Sequence, residues 1–161
     1  MNQLNVFGKE LELCCSSPIT GVYRDGYCNT GINDVGTHTV CAIVTEKFLE
    51  FSKSKGNDLI TANPYYNFEG LKEGDKWCLC VSRWVEAYEA GCAPNLILEA
   101  TNIKTLDYVS FEDLLEYKAW IKPNSHLLLL VQFSNFNKKN NHEKFLLSDI
   151  IYISLFLWSK K

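Results

Sequence analysis

Residues 16–37 limit the fold more than any other stretch. They carry Pro18, Gly21, Gly26, Gly31 and Gly36, with turn signals at Arg24-Asp-Gly and Asn29-Thr-Gly, and no helical or strand period. Gly26 and Gly31 are expected to supply positive φ, and Asn33, Asp34 and Gly36 continue the loop. A loop this long has to be held by its own side chains and is often functional. The wider stretch, residues 13–45, contains four of the seven cysteines and one of the three histidines. Whatever packs around it must be made of short elements.

Those elements come in pairs. Residues 39–44 alternate, with Val40, Ala42 and Val44 on one face and Cys41 and Ile43 on the other. Thr45 is an N-cap for a helix carrying Phe48, Leu49 and Phe51, and Gly56 stops it. After a second loop at 57–75, Trp77, Leu79 and Val81 share one strand face, and Cys78 and Cys80 the other. Ser82 is expected to cap a helix from Arg83 that Gly91 ends, with Trp84, Val85 and Tyr88 packed inward. Residues 95–100 form a third strand, and Ser110 caps a last short helix. This is an α+β pattern: a small mixed sheet built from strand-helix units in one compact domain.

The 161 residues divide near Trp120. Residues 1–120 carry a net charge of -7, whereas 121–161 carry +4 and lack Gly, Ala, Cys, Arg and Thr altogether. The domain is therefore assigned to 1–120. The Lys/Asn/apolar tail reads as a divergent extension or an intron read-through, or else as an added helical pair. Its longest apolar run is shorter than the roughly 20 residues a spanning helix needs, so no membrane span is expected. The overall charge of -3 shows no basic face, so no nucleic-acid partner is expected. Residues 1–8 lack a basic region followed by an apolar run, which gives a cytoplasmic reading with reduced thiols rather than a disulfide framework.

Cysteine and histidine dominate the chemistry on offer. If strands 39–44 and 77–81 are neighbours, Cys41, Cys78, Cys80 and His38 would form a metal site, with zinc the natural occupant. Alternatively Cys80, beside a helix start and Arg83, is a nucleophile with His38 as its base, since cations and helix N-termini favour thiolates. A third reading has the sulfurs as inert core residues. A regulated disulfide, if present, would join distant elements, for example Cys28 to Cys15 or Cys41. Separately, Arg24, Asp25, Asn29, Thr30 and Asp34, with Asp58 and Arg83, could bind a small polar ligand or a protein, although each also has a local use in turns.

These residues also carry a resemblance. Leu13-Cys-Cys, Asp25-Gly-Tyr-Cys-Asn-Thr-Gly, Asp34-Val-Gly-Thr-His-Thr-Val-Cys-Ala, Phe48-Leu-Glu-Phe-Ser, Gly70-Leu-Lys-Glu-Gly-Asp-Lys-Trp-Cys-Leu-Cys and Arg83-Trp resemble the family called domain of unknown function 2237, over residues 5–118. The resemblance implies a small single-domain soluble protein and brings no activity with it. The chain departs from the family at Leu59-Ile-Thr-Ala, where Leu-Ser-Thr-Pro is usual, and its tail lies outside the family.

Overall fold

In a computed structural model the described residues are 3–119. Three strands, β1 (Val40–Ile43), β2 (Lys76–Leu79) and β3 (Asn95–Leu96), form an antiparallel sheet in the order β2-β1-β3. A single parallel bridge joins Leu96 to Lys118. Three helices follow the strands in turn: α1 (Glu46–Ser54), α2 (Val81–Glu89) and α3 (Phe111–Glu116). The readings made of residues 121–161 lie outside the described residues.

The alternation of β1 and β2 separates two cores. Val40, Ala42, Trp77 and Leu79 face the helices, where they meet Phe48, Leu49, Val81 and Trp84. Each fully buried side chain of this kind contributes about 1.5–3 kcal/mol. Thr45 caps α1 by accepting the Phe48 N–H at 3.2 Å. Trp84 stacks on Tyr88, donates its indole N–H to the Pro94 carbonyl, and meets Tyr117 edge-on.

The opposite face is sulfur-lined. Cys41 and Cys78 are direct partners across β1 and β2 and pack with Cys14, Cys28, Ile97 and Ala100. Buried threonines close the ladder here: Thr20 accepts the Cys78 N–H at 2.7 Å and Thr101 accepts the Cys41 N–H at 3.2 Å. Asn5 and Asn102, also buried, tie the amino-terminal segment to residues 99–104 through side-chain bonds to backbone.

Several expectations are corrected. The sulfurs of this face are not reduced: Cys14–Cys41 and Cys28–Cys78 are disulfides, with Cα separations of 5.8 and 5.3 Å. Neither is the pairing suggested from sequence, because the choice is made by a cross-strand register and a loop path that spacing does not encode. The third strand shrinks to two residues, since Leu98–Ala100 turns into a 3₁₀ helix. Helix α2 begins at Val81 rather than Arg83, with Cys80 in the cap position and no side-chain cap bond. Gly26 has positive φ as expected, but Gly31 does not, and Arg24 takes a left-handed conformation at φ 55° instead. Gly31 serves close approach, since a Cβ there would lie 2.7 Å from the Tyr23 hydroxyl.

Candidate functional site

The loop that enters β1 brings Asp34 and His38 together and sets them against Cys80. His38 stands ahead of the strand, so its direction is not fixed by strand alternation. Its Nδ1 lies 2.6 Å from Asp34 Oδ1, and its Nε2 lies 3.1 Å from Cys80 Sγ. Asp34 is buried and accepts two further bonds, from the His38 backbone N–H at 2.7 Å and the Thr30 hydroxyl at 2.9 Å. The carboxylate is thus fixed by its own loop before it meets the imidazole. Gly36 allows that loop to close over the pair, since a Cβ there would sit 2.5 Å from His38 Cε1 and 2.9 Å from Cys80 Sγ.

Cys80 approaches from the other side, at the N-terminus of α2. Its carbonyl accepts the Arg83 and Trp84 N–H groups, while the Val81 N–H donates to the Thr37 carbonyl at 3.0 Å. That last bond joins the histidine loop to the start of the helix. A helix N-terminus carries partial positive charge, which suits an anionic sulfur or oxygen.

The electrostatics follow from these contacts. The hydrogen bond to Cys80 is the largest influence on His38; burial opposes it, Asp34 adds to it, and the imidazole is raised to about 9. Burial opposes ionisation of Asp34, but its bonds from His38 and Thr30 prevail and hold its carboxyl below the ordinary value. The imidazole therefore sits between an ionised carboxylate and a sulfur, arranged to take and hold a proton.

His38 also lines a cleft of about 570 Å³, together with Arg24, Asp58, Asn63, Tyr66 and Trp77. The other residues singled out from sequence are distributed as follows. Asp25 accepts from the Tyr27 N–H and from Asn29, inside a turn. Asp58 accepts from the Ile60 and Thr61 N–H groups and pairs with Lys53 at 3.0 Å; those bonds place its carboxyl below the ordinary value. Arg83 pairs with Glu86 along α2. Of the polar ligand set, Asp34 bonds His38, Thr30 bonds Asp34, and Arg24 and Asp58 reach the cleft wall.

The suggested metal set divides in two. Cys80 and His38 are together, whereas Cys41 and Cys78 are bonded to Cys14 and Cys28. Among the described residues, the Cys14, Cys28 and Cys78 sulfurs lie within 4.8 Å of one another, close enough to hold one ion, but each is already in a disulfide. The free thiols are Cys15, Cys80 and Cys92. Among the described residues no helix is long and apolar enough to cross a membrane.

Sequence reasoning named Asp34 as a ligand residue and overlooked it as the partner of His38. The four-residue spacing within a turn-rich loop was the available signal. Gly36 and Trp77 were missed as parts of the site, because close approach and cleft walls leave no local mark. No curated protein matches the chain. The family model for an uncharacterized protein conserved in bacteria (DUF2237) matches residues 4–118, and the chain belongs to that family.

Proposed function

We propose that the protein uses Cys80 as a nucleophile on a small electrophile bound in the cleft, with His38 as base and Asp34 as the residue that positions it. The observation that carries this reading is the unbroken line Asp34–His38–Cys80, with contacts of 2.6 and 3.1 Å. A nucleophile, a base within hydrogen-bond reach and a third group orienting the base form the arrangement that activates a weak nucleophile. In the step, the sulfur forms a bond to the electrophilic carbon as that carbon's bond to the leaving group breaks. The thiol proton is already held on His38 Nε2 before the attack, and His38 can pass it to the leaving group. Asp34 keeps Nδ1–H as a donor, so Nε2 is the nitrogen that faces sulfur.

Zinc is a weaker reading of the same cysteines. An ion at the sulfur cluster needs thiolates, and those sulfurs are bonded to one another. The reading of loop 24–36 as a binding module is weakened by Asp25 and Asn29, which satisfy each other within the turn.

Alkylation of the full-length protein by iodoacetamide at pH 7, read at the Cys80 peptide by mass spectrometry, tests the proposal. Cys80 is expected to react at least about tenfold faster than an unperturbed cysteine peptide, since the thiolate is the reactive form. His38→Gln should remove most of that excess. A Cys80 no faster than the peptide would overturn the reading.

A further inference from the structure

The cleft lined by His38, the hydrogen-bond partner of Cys80, has an unneutralised positive wall. Arg24 lines it with His38, and its guanidinium carbon lies 5.1 Å from the centroid of the Trp77 ring. Stacking on an aromatic face orients the guanidinium plane and leaves its edge free to donate. Among the described residues Arg24 pairs with no carboxylate, and its side chain makes one hydrogen bond, from Nη1 to the Ile19 carbonyl at 3.4 Å. Most of its five N–H donors remain for a ligand. Asp58, in the same cleft, is paired with Lys53 at 3.0 Å, so those two charges largely cancel.

The position of Arg24 is fixed by the backbone. Its φ of 55° is unusual for a residue with a side chain, and such conformations persist where the surroundings enforce them. Its N–H donates to the Gly21 carbonyl at 3.1 Å. Gly21 cannot be replaced without disruption, since a Cβ there would lie 2.3 Å from the Tyr27 carbonyl oxygen. The loop is anchored on either side of Arg24 by the Cys14–Cys41 and Cys28–Cys78 bonds. Tyr66, Phe68 and Trp77 give the cleft an aromatic lining.

We infer that Arg24 binds a carboxylate on the electrophile that Cys80 attacks, and that the substrate is a small molecule with a flat, apolar body. The inference rests on the reactive-thiol reading above. One unpaired guanidinium matches a single negative charge, since Asp58 and Lys53 offset each other and leave Arg24 as the net charge of the cleft.

Iodoacetate and iodoacetamide present the same methylene carbon with and without a carboxylate. In both reactions the Cys80 sulfur forms the C–S bond, iodide leaves, and the thiol proton stays on His38. The iodoacetate-to-iodoacetamide rate ratio at Cys80 is expected to exceed that of a neutral cysteine peptide amide. Arg24→Gln should lower that ratio about threefold, the scale of one exposed charge pair. A ratio unchanged by Arg24→Gln overturns the inference. A second measurement needs no variant: benzoate should protect wild-type Cys80 from iodoacetamide, and neutral benzamide should not. Equal effects of benzoate and benzamide overturn the inference. Slow reaction of wild-type Cys80 with both iodo reagents would instead overturn the reactive-thiol reading on which it depends.

Discussion

Replacing Asp34 by asparagine keeps the shape of the side chain and removes its charge. The native carboxylate accepts three bonds, from His38 Nδ1, the His38 N–H and the Thr30 hydroxyl, and its side chain is 0% exposed. An amide has one oxygen, so at least one of these donors loses its acceptor and the amide N–H₂ meets a donor. The loss of a charge-assisted bond to a buried group is worth about 1.5–3 kcal/mol. His38 is one-third exposed, so solvent screening places the effect toward the lower end. The imidazole should then titrate lower by about one unit. The titratable and charged groups around it are Asp34 on its own loop, Cys80 at the start of α2, and Arg24 and Asp58 in the cleft. The signs are distinct. His38, raised to about 9 from 6.5, adds stability that is full below 6.5 and disappears as pH rises through about 9. Asp34, lowered from 3.8, adds stability present above 3.8 and lost as pH falls through its folded value. The assay is an NMR titration of the His38 ring carbon, with urea unfolding at pH 5, 7 and 9.5. Asp34→Asn should lower the His38 midpoint and narrow the stability difference between pH 7 and 9.5. An unchanged midpoint would refute the claim that Asp34 adds to the raising of His38.

Three further perturbations test other parts of the argument. Gly36→Ala places a methyl within 3 Å of His38 Cε1 and Cys80 Sγ, so it should cost about 1–3 kcal/mol by thermal unfolding and slow Cys80 alkylation. The Cys14–Cys41 and Cys28–Cys78 bonds span 27 and 50 residues, so loop entropy gives about 3.5 and about 4 kcal/mol. Cys14→Ser/Cys41→Ser and Cys28→Ser/Cys78→Ser double variants should lose comparable amounts in urea titrations, and no loss would argue that the thiols are unpaired in solution. Thr45→Ala removes the α1 cap and should cost about 1 kcal/mol while leaving Cys80 reactivity unchanged.

The elements legible from sequence were those set by local chemistry. The Val40/Ala42 and Cys41/Ile43 faces follow from a period of two, and α1 follows from Thr45 and its Phe48–Leu49 stripe. Gly56 and Gly91 mark chain reversals with φ of 82° and 66°. The start of α2 was misplaced because Ser82 is the better capping residue, yet Cys80 takes that position when its carbonyl accepts the first-turn N–H groups. The disulfides and the buried asparagines were not legible, because each depends on where residues 3–30 lie against a sheet far along the chain. Cysteine and histidine types drew attention to Cys80 and His38. Strand alternation could not anticipate their meeting, since His38 precedes the strand and Thr37 turns the chain there at φ 51°.

Thr37 connects these observations. A β-branched residue in the left-handed region costs about 1–2 kcal/mol, and among the described residues no hydrogen bond to the Thr37 side chain offsets it. Its carbonyl instead accepts the Thr39 N–H at 2.9 Å and the Val81 N–H at 3.0 Å, so one turn sets both the entry to β1 and the start of α2. Thr37→Gly relieves the strain but adds about 0.5–1 kcal/mol of unfolded-chain entropy, so stability should change by less than about 1 kcal/mol. If the turn exists to hold His38 against Cys80, alkylation of Cys80 should nevertheless slow several-fold, because the glycine samples conformations in which the pair separates. A variant that is stable and fully reactive would mean that the Thr37 conformation is incidental to the site. A variant destabilised by more than about 2 kcal/mol would mean that the threonine side chain, not the turn, is what the fold requires.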